Sequence, residues 1–129
     1  MDIVYRDLKK YKYQLLQDYD IIVDIKPLID IKTEFIILNT AGRLIIKKWY
    51  AWDGASGPTI DTKSFMRGSL VHDALYQLMR EAKIGTKHRD YADRLLQRLC
   101  IEDGMYRWRA WYVYHSVKMF AKKHAMPTK

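Results

Sequence analysis

Leu70-Val71-His72-Asp73-Ala74-Leu75-Tyr76 is the stretch on which the reading of this chain turns. Val71, Leu75 and Leu78 recur at helical spacing, which predicts a core-facing helix over about 63–82. His72, Tyr76 and Met79 follow i, i+4, i+7 spacing beside that stripe. Asp73 falls about 100° further round, next to Ser69 and Gln77. Polar groups at the edge of a buried stripe cost free energy unless partnered. The cluster is therefore either a hydrogen-bond network tying elements together or a site that binds metal or moves protons.

Downstream, Gly85 and Thr86 break the helix, and a second is predicted over about 87–102 with Ala92, Leu95, Leu96 and Leu99 inward and Gly104 at its end. A third is predicted from about 106 to 124, with Pro127 beyond it. The short connection centred on Gly85 favours antiparallel packing of the first two. Asp93, on the line of Arg89, Leu96 and Cys100, can then approach His72; Arg89 and Arg94 are its alternative partners. Upstream, short β-branched and aromatic runs predict strands: Tyr11 to Leu15, Ile21 to Ile25 after a polar turn at Gln17 to Asp20, and Glu34 to Leu38 with Arg43 to Trp49. The last two flank Asn39-Thr40-Ala41-Gly42, a hairpin turn in which Gly supplies positive φ. Trp52 to Pro58 reads as a loop. The expected fold is α+β in a single domain: a small antiparallel sheet over 1–52, a motif loop over 53–62 and a helical part over 63–124.

The chain has 129 residues, 49% hydrophobic and 29% charged, enough for a core without staples. Cys100 is the only cysteine, which excludes an internal disulfide and a thiolate metal cluster and suits a reducing compartment. No apolar run resembles a signal peptide or reaches bilayer-spanning length. The net charge of +8 is the compositional outlier, and six Lys or Arg follow Asp103 with no acidic side chain among them. Such a tail suits nucleic acid, anionic lipid or an acidic protein, or is a solvated helix face.

A carboxylate behind an imidazole fixes its tautomer and raises its basicity. Asp73 and oxygens from Asp53 to Gly57 could supply hard ligands for a divalent cation. Structural alternatives stand beside each role: Tyr76 as a core aromatic with a satisfied hydroxyl, Asp53 as a turn residue before Gly54. On the third helix, Trp108, Tyr112, His115 and Met119 share one stripe, and Ala110, Val113, Val117 and Phe120 another. Arg107, Trp111, Lys118 and Lys122 form a mixed basic face that suits a membrane interface or stacking on nucleotides. The expectation is that the aromatic residues close the core, with Trp111 the most exposed of them.

Asp53-Gly54-Ala55-Ser56 with Pro58, then His72-Asp73 with Leu75-Tyr76, then Arg89 with Ala92-Asp93, resemble the domain-of-unknown-function 1353 family, small proteins common in tailed phages and prophages. Arg107 or Arg109, and Val117 with Phe120, resemble its closing segment. The resemblance covers about Trp49 to Ala121; the stretch before it is similar only in being strand-rich. It implies a phage or prophage origin and brings no assigned activity. His72-Asp73 with Tyr76, followed by Asp93-Arg94, is also similar to the catalytic helix pair of secreted phospholipases A2. That similarity implies His72 as general base for water, Asp73 as a calcium ligand, Asp93 orienting the imidazole and Tyr76 holding Asp93. The bracketing disulfides are absent and the glycine-rich calcium loop is not matched, so it serves as an analogy of chemistry.

The function expected first is a metal-dependent hydrolase of an ester or phosphoester, with His72, Asp93 and Tyr76 catalytic, Asp73 and Asp53 holding the metal, and Gly54, Ser56 and Pro58 forming the loop. The cofactor would be a divalent cation, calcium first, with zinc or magnesium as alternatives. The alternative is a non-catalytic virion or host-interaction protein whose Arg107, Trp111, Lys118 and Lys122 make the contact. Expected partners are phage structural proteins or an envelope component, and nucleic acid ranks last. The expected location is the host cytoplasm or the virion.

Overall fold

Short runs of β-branched and aromatic residues need partners to become strands, and in the first half of the chain they find them across two antiparallel sheets. The computed structural model describes residues 3–8, 12–53 and 63–127, with the backbone alone at 12, 120 and 123. The chain divides into two compact units, Met1–Asp53 and Gly54–Lys129. Among the described residues the first holds strands and the second helices, which makes the class α+β.

In the first unit, β1 (Tyr5–Asp7), β2 (Lys12–Leu15) and β7 (Ala51–Asp53) form one sheet in the order β1-β2-β7. β3 (Tyr19–Ile22), β4 (Ile31–Lys32), β5 (Ile36–Leu38) and β6 (Arg43–Ile46) form the other, ordered β3-β6-β5-β4. Period-two alternation sets the register: Ile36 opposes Ile46 and Leu38 opposes Leu44, all four fully buried. Asn39 builds the hairpin as expected. Its side-chain oxygen accepts from the Ala41 and Arg43 amides, and Gly42 takes a φ of 87°. A Cβ on Gly42 would run into the Val23 carbonyl oxygen.

The unit departs from the sequence reading at several edges. Asp20 is a strand residue of β3, not part of a turn, and its carboxylate accepts from Arg43 Nε at 2.8 Å across the β3–β6 pair. β3 also ends at Ile22, short of the predicted Ile25. β1, β4 and β7 are strands the alternation did not reveal, because two or three residues carry no period of their own. β6 stops at Ile46, and Lys47 to Tyr50 turn instead, with the Tyr50 amide donating to the Lys47 carbonyl at 3.1 Å. Trp49 takes a φ of 80° in that turn, a conformation that favours glycine, under the ammonium of Lys48 at 4.6 Å. Asp53, expected in the motif loop, is the last residue of β7 and pairs in register with Lys12.

In the second unit, α1 (Lys63–Arg80) is buried along most of its circumference, including every residue from Phe65 to His72. A central helix of this kind needs neighbours on several sides. α2 (Arg89–Glu102) follows a 3-10 turn at Thr86–His88, and packs antiparallel to α1. The pairings run in opposite directions: Arg67 with Asp103, Gly68 with Cys100, His72 with Asp93. Gly68 makes the seam tight, since a Cβ there would come within 2.9 Å of Leu96 Cδ1 and 3.2 Å of Cys100 Sγ. Cys100 is fully buried, and burial pushes its thiol up to about 12.

The predicted third helix is two elements, α3 (Arg107–Phe120) and α4 (Lys122–Ala125), broken at Ala121. Phe65, Leu96, Cys100, Met105, Ala110 and Val113 form one core cluster against α3, with Val117 packed on it. The expectation that the aromatic stripe of α3 closes the core is corrected. Trp108, Tyr112 and Met119 are exposed and His115 half-buried, while the small residues Ala110 and Val113 face inward. Small side chains let the α3 backbone approach α2 closely; bulky rings on that side would hold it off.

Candidate functional site

His72 enters α1 on the side facing α2, and the antiparallel seam brings Asp93 opposite it. Nε2 of His72 lies 2.7 Å from Asp93 Oδ1, and the Tyr76 hydroxyl donates to the same oxygen at 2.7 Å. Helical i, i+4 spacing places the two rings together, with centroids 4.2 Å apart and planes at 31°. Asp93 is 1% exposed, Tyr76 2% and His72 7%. A carboxylate this deep is tolerable only because donors converge on it. As a carboxylate Asp93 only accepts, so Nε2 of His72 carries the hydrogen, and in the neutral form of the ring the lone pair lies on Nδ1.

Tyr76 is fixed as a donor. Burial, then the bond to Asp93, holds its hydroxyl far above the ordinary phenol range. Arg89, one turn before Asp93 on α2, donates through Nε to the Tyr76 oxygen at 3.4 Å. Its Nη2 also donates to the Lys118 carbonyl at 3.0 Å, so the chain of bonds reaches α3. The hydrogen bonds thus run from Arg89 through Tyr76 to Asp93, and from His72 to the same oxygen. Among the described residues, no buried side-chain nitrogen or oxygen lacks a partner.

Arg94, an alternative partner for Asp93 in the sequence, is engaged elsewhere. It donates to Asp90 Oδ2 at 2.7 Å, and the Tyr114 hydroxyl donates to Asp90 Oδ1 at 2.7 Å. The Tyr114 bond first, then Arg94, holds the Asp90 carboxyl below the usual carboxylate range.

A family model described as Protein of unknown function (DUF1353) matches residues 29–117, more than half of the chain. The chain belongs to that family. The match begins some way before Trp49, so the DUF1353 segment takes in β4 to β7 as well as α1, α2 and most of α3. No curated protein matches the chain, and no solved structure does.

Within the DUF1353 segment, the structure brings His72, Tyr76 and Asp93 together. Asp73 is half-buried on the next line of α1. Gly54, Ser56 and Pro58 lie outside the described residues. Asp53 is exposed at the end of β7 in the first unit. Arg107, Trp111, Lys118 and Lys122 are all exposed, the first three on α3 and Lys122 on α4. None of the helices in the described residues is long and apolar enough to cross a membrane.

Arg89, expected as an alternative partner of Asp93, bonds to the Tyr76 oxygen instead. Arg67 escaped the sequence reading, though it carried a signal: it continues the stripe of Val71, Leu75 and Leu78, and a cation on an apolar stripe requires carboxylates. It finds them in Asp103, held through Nε and Nη2 at 3.0 Å each, and in Glu102 at 3.0 Å.

Proposed function

We propose that His72 is a general base for hydrolysis of an ester or phosphoester, with Asp93 and Tyr76 as positioning residues. The observation that carries the reading is the convergence of His72 and Tyr76 on one buried oxygen of Asp93. It leaves Nδ1 as the basic atom. In the reaction Nδ1 takes a proton from water while the water oxygen bonds to the carbonyl carbon or phosphorus. The imidazolium is stabilised by Asp93, and the proton then passes to the departing oxygen as the ester bond breaks. The likeness to phospholipases A2 is an analogy for this chemistry, and the family's resemblance to phage and prophage proteins suggests an envelope lipid or cell-wall component as target. The protein would then work in the host cytoplasm or the virion.

The same reading includes a divalent cation, calcium before zinc or magnesium. Among the described residues no group of three His, Cys, Asp or Glu side chains is placed to hold a metal ion. The candidate oxygen ligands are Asp73, Asp53 and the loop at Gly54, Ser56 and Pro58. Thermal melting with calcium, magnesium or zinc chloride tests the cation directly, since binding to the native state raises the melting temperature.

The reading of His72 is tested with p-nitrophenyl butyrate and bis(p-nitrophenyl) phosphate as probes. Turnover by the native chain should fall about 10²–10⁴-fold in His72→Ala. No turnover of either probe above buffer, or equal turnover by His72→Ala, would sink it. The second reading, a non-catalytic virion or host-interaction protein, is favoured by the completeness of the network: Arg89, Tyr76, Asp93 and His72 satisfy one another as a structural tie would.

A further inference from the structure

α3 has two apolar faces. With successive residues turning about 100°, Ala110, Val113, Tyr114 and Val117 share the side that packs inward. Trp108, Trp111, Tyr112 and Met119 share the opposite side and are 71%, 58%, 44% and 73% exposed. His115 lies among them, its ring 4.2 Å from that of Trp111. Arg107 and Lys118, both exposed, line the Trp111 edge of this stripe, and exposed Lys122 follows on α4. The sequence beyond Asp103 has no acidic side chain, and Asp90 of α2 is the carboxylate whose charge acts on Lys118.

We propose that this face lays α3 flat on an anionic lipid surface, with Trp108, Trp111, Tyr112 and Met119 in the headgroup region and Arg107, Lys118 and Lys122 against lipid phosphates. The residues from 108 to 119 extend about 17 Å along one side of the helix, which suits an element lying in the interface plane. Trp and Tyr are the side chains that settle at that depth. The cations select an anionic partner. A second copy would bring the same cations opposite themselves in a two-fold contact. Single-stranded nucleic acid favours aromatic rings set along a charged groove; the rings of α3 stand on a convex helix, with Met119 among them. The docking does not depend on His72 acting as a base, so the two tests fail separately.

The experiment is sedimentation of the full chain with equimolar phosphatidylglycerol–phosphatidylcholine vesicles and with phosphatidylcholine alone, following tryptophan emission. Binding to the mixed vesicles, a blue shift and quenching by brominated lipid are expected, all weakening as salt rises. Trp108→Ala/Trp111→Ala should lower partitioning by about tenfold or more. Arg107→Glu/Lys118→Glu should do likewise on the mixed vesicles. Far-UV circular dichroism should be unchanged, because all four side chains are exposed. Failure of the native chain to bind the mixed vesicles would overturn the proposal, as would equal binding by the tryptophan variant. So would binding of an oligodeoxythymidine, or self-association through this face, in place of vesicle binding.

Discussion

Asp93 Oδ1 receives both the His72 and the Tyr76 hydrogen bonds, so one atom governs two buried donors. Asp93→Ala removes that shared acceptor and leaves a phenol and an imidazole N–H without it in the seam. Each such group costs about 1–3 kcal/mol, so urea unfolding should register a loss of about 2–6 kcal/mol. Tyr76→Phe removes one donor, keeps the ring packed on His72, and should cost about 1–2 kcal/mol. A neutral Asp93→Ala would mean that the network contributes nothing to stability. The sequence made this pairing legible, because a carboxylate flanking the stripe of α2 meets an imidazole on α1 once the short connection forces antiparallel packing. The part played by Arg89 was less legible: its bond to the Lys118 carbonyl depends on where α3 ends, which no local spacing specifies.

At the scale of elements, the α1–α2 seam is set by Gly68. Gly68→Ala places a methyl 2.9 Å from Leu96 Cδ1 and 3.2 Å from the Leu96 carbonyl oxygen. The leucine tip can rotate but the backbone cannot, so the helices must part slightly. The expected cost is about 1–3 kcal/mol despite the better helix propensity of alanine, and an unchanged urea midpoint would contradict it. Legibility fails most clearly on α3, and for a physical reason. Its two stripes are both apolar, and hydrophobicity alone favours burying the larger one. Close approach of helices favours the smaller one, and Ala110 and Val113 are accordingly the residues inside. In the sheets, β2 and the β5–β6 hairpin were readable from alternation and from Gly42. β1, β4 and β7 were not, since a run of two or three residues is defined by its partner.

For the whole molecule, acid tolerance is tied to one carboxylate in each unit. The Lys48 backbone amide, donating at 2.7 Å, holds the Asp18 carboxyl below its ordinary value near 3.8, as Tyr114 does for Asp90. A depressed folded value means that the stabilisation is fully present above the unfolded value and is lost as pH falls through the folded one. Stability should therefore decline below about pH 4, and Asp18→Asn and Asp90→Asn should each flatten that decline in pH-dependent melting. Both groups are largely exposed, so the effect is small and screened by salt. A steep acid limb that persists in the double variant would assign it to other groups. The lone thiol of the chain has a different use. Cys100 sits sealed beside Gly68 and within the core cluster against α3, and holds its proton, so an alkylating reagent can reach it only when that packing opens. Its labelling in native buffer should be slow and follow a single exponential, then quicken in Gly68→Ala; prompt labelling of the native chain would contradict this. The protein thus carries its own stopwatch on the opening of its helical core, readable without any added probe site.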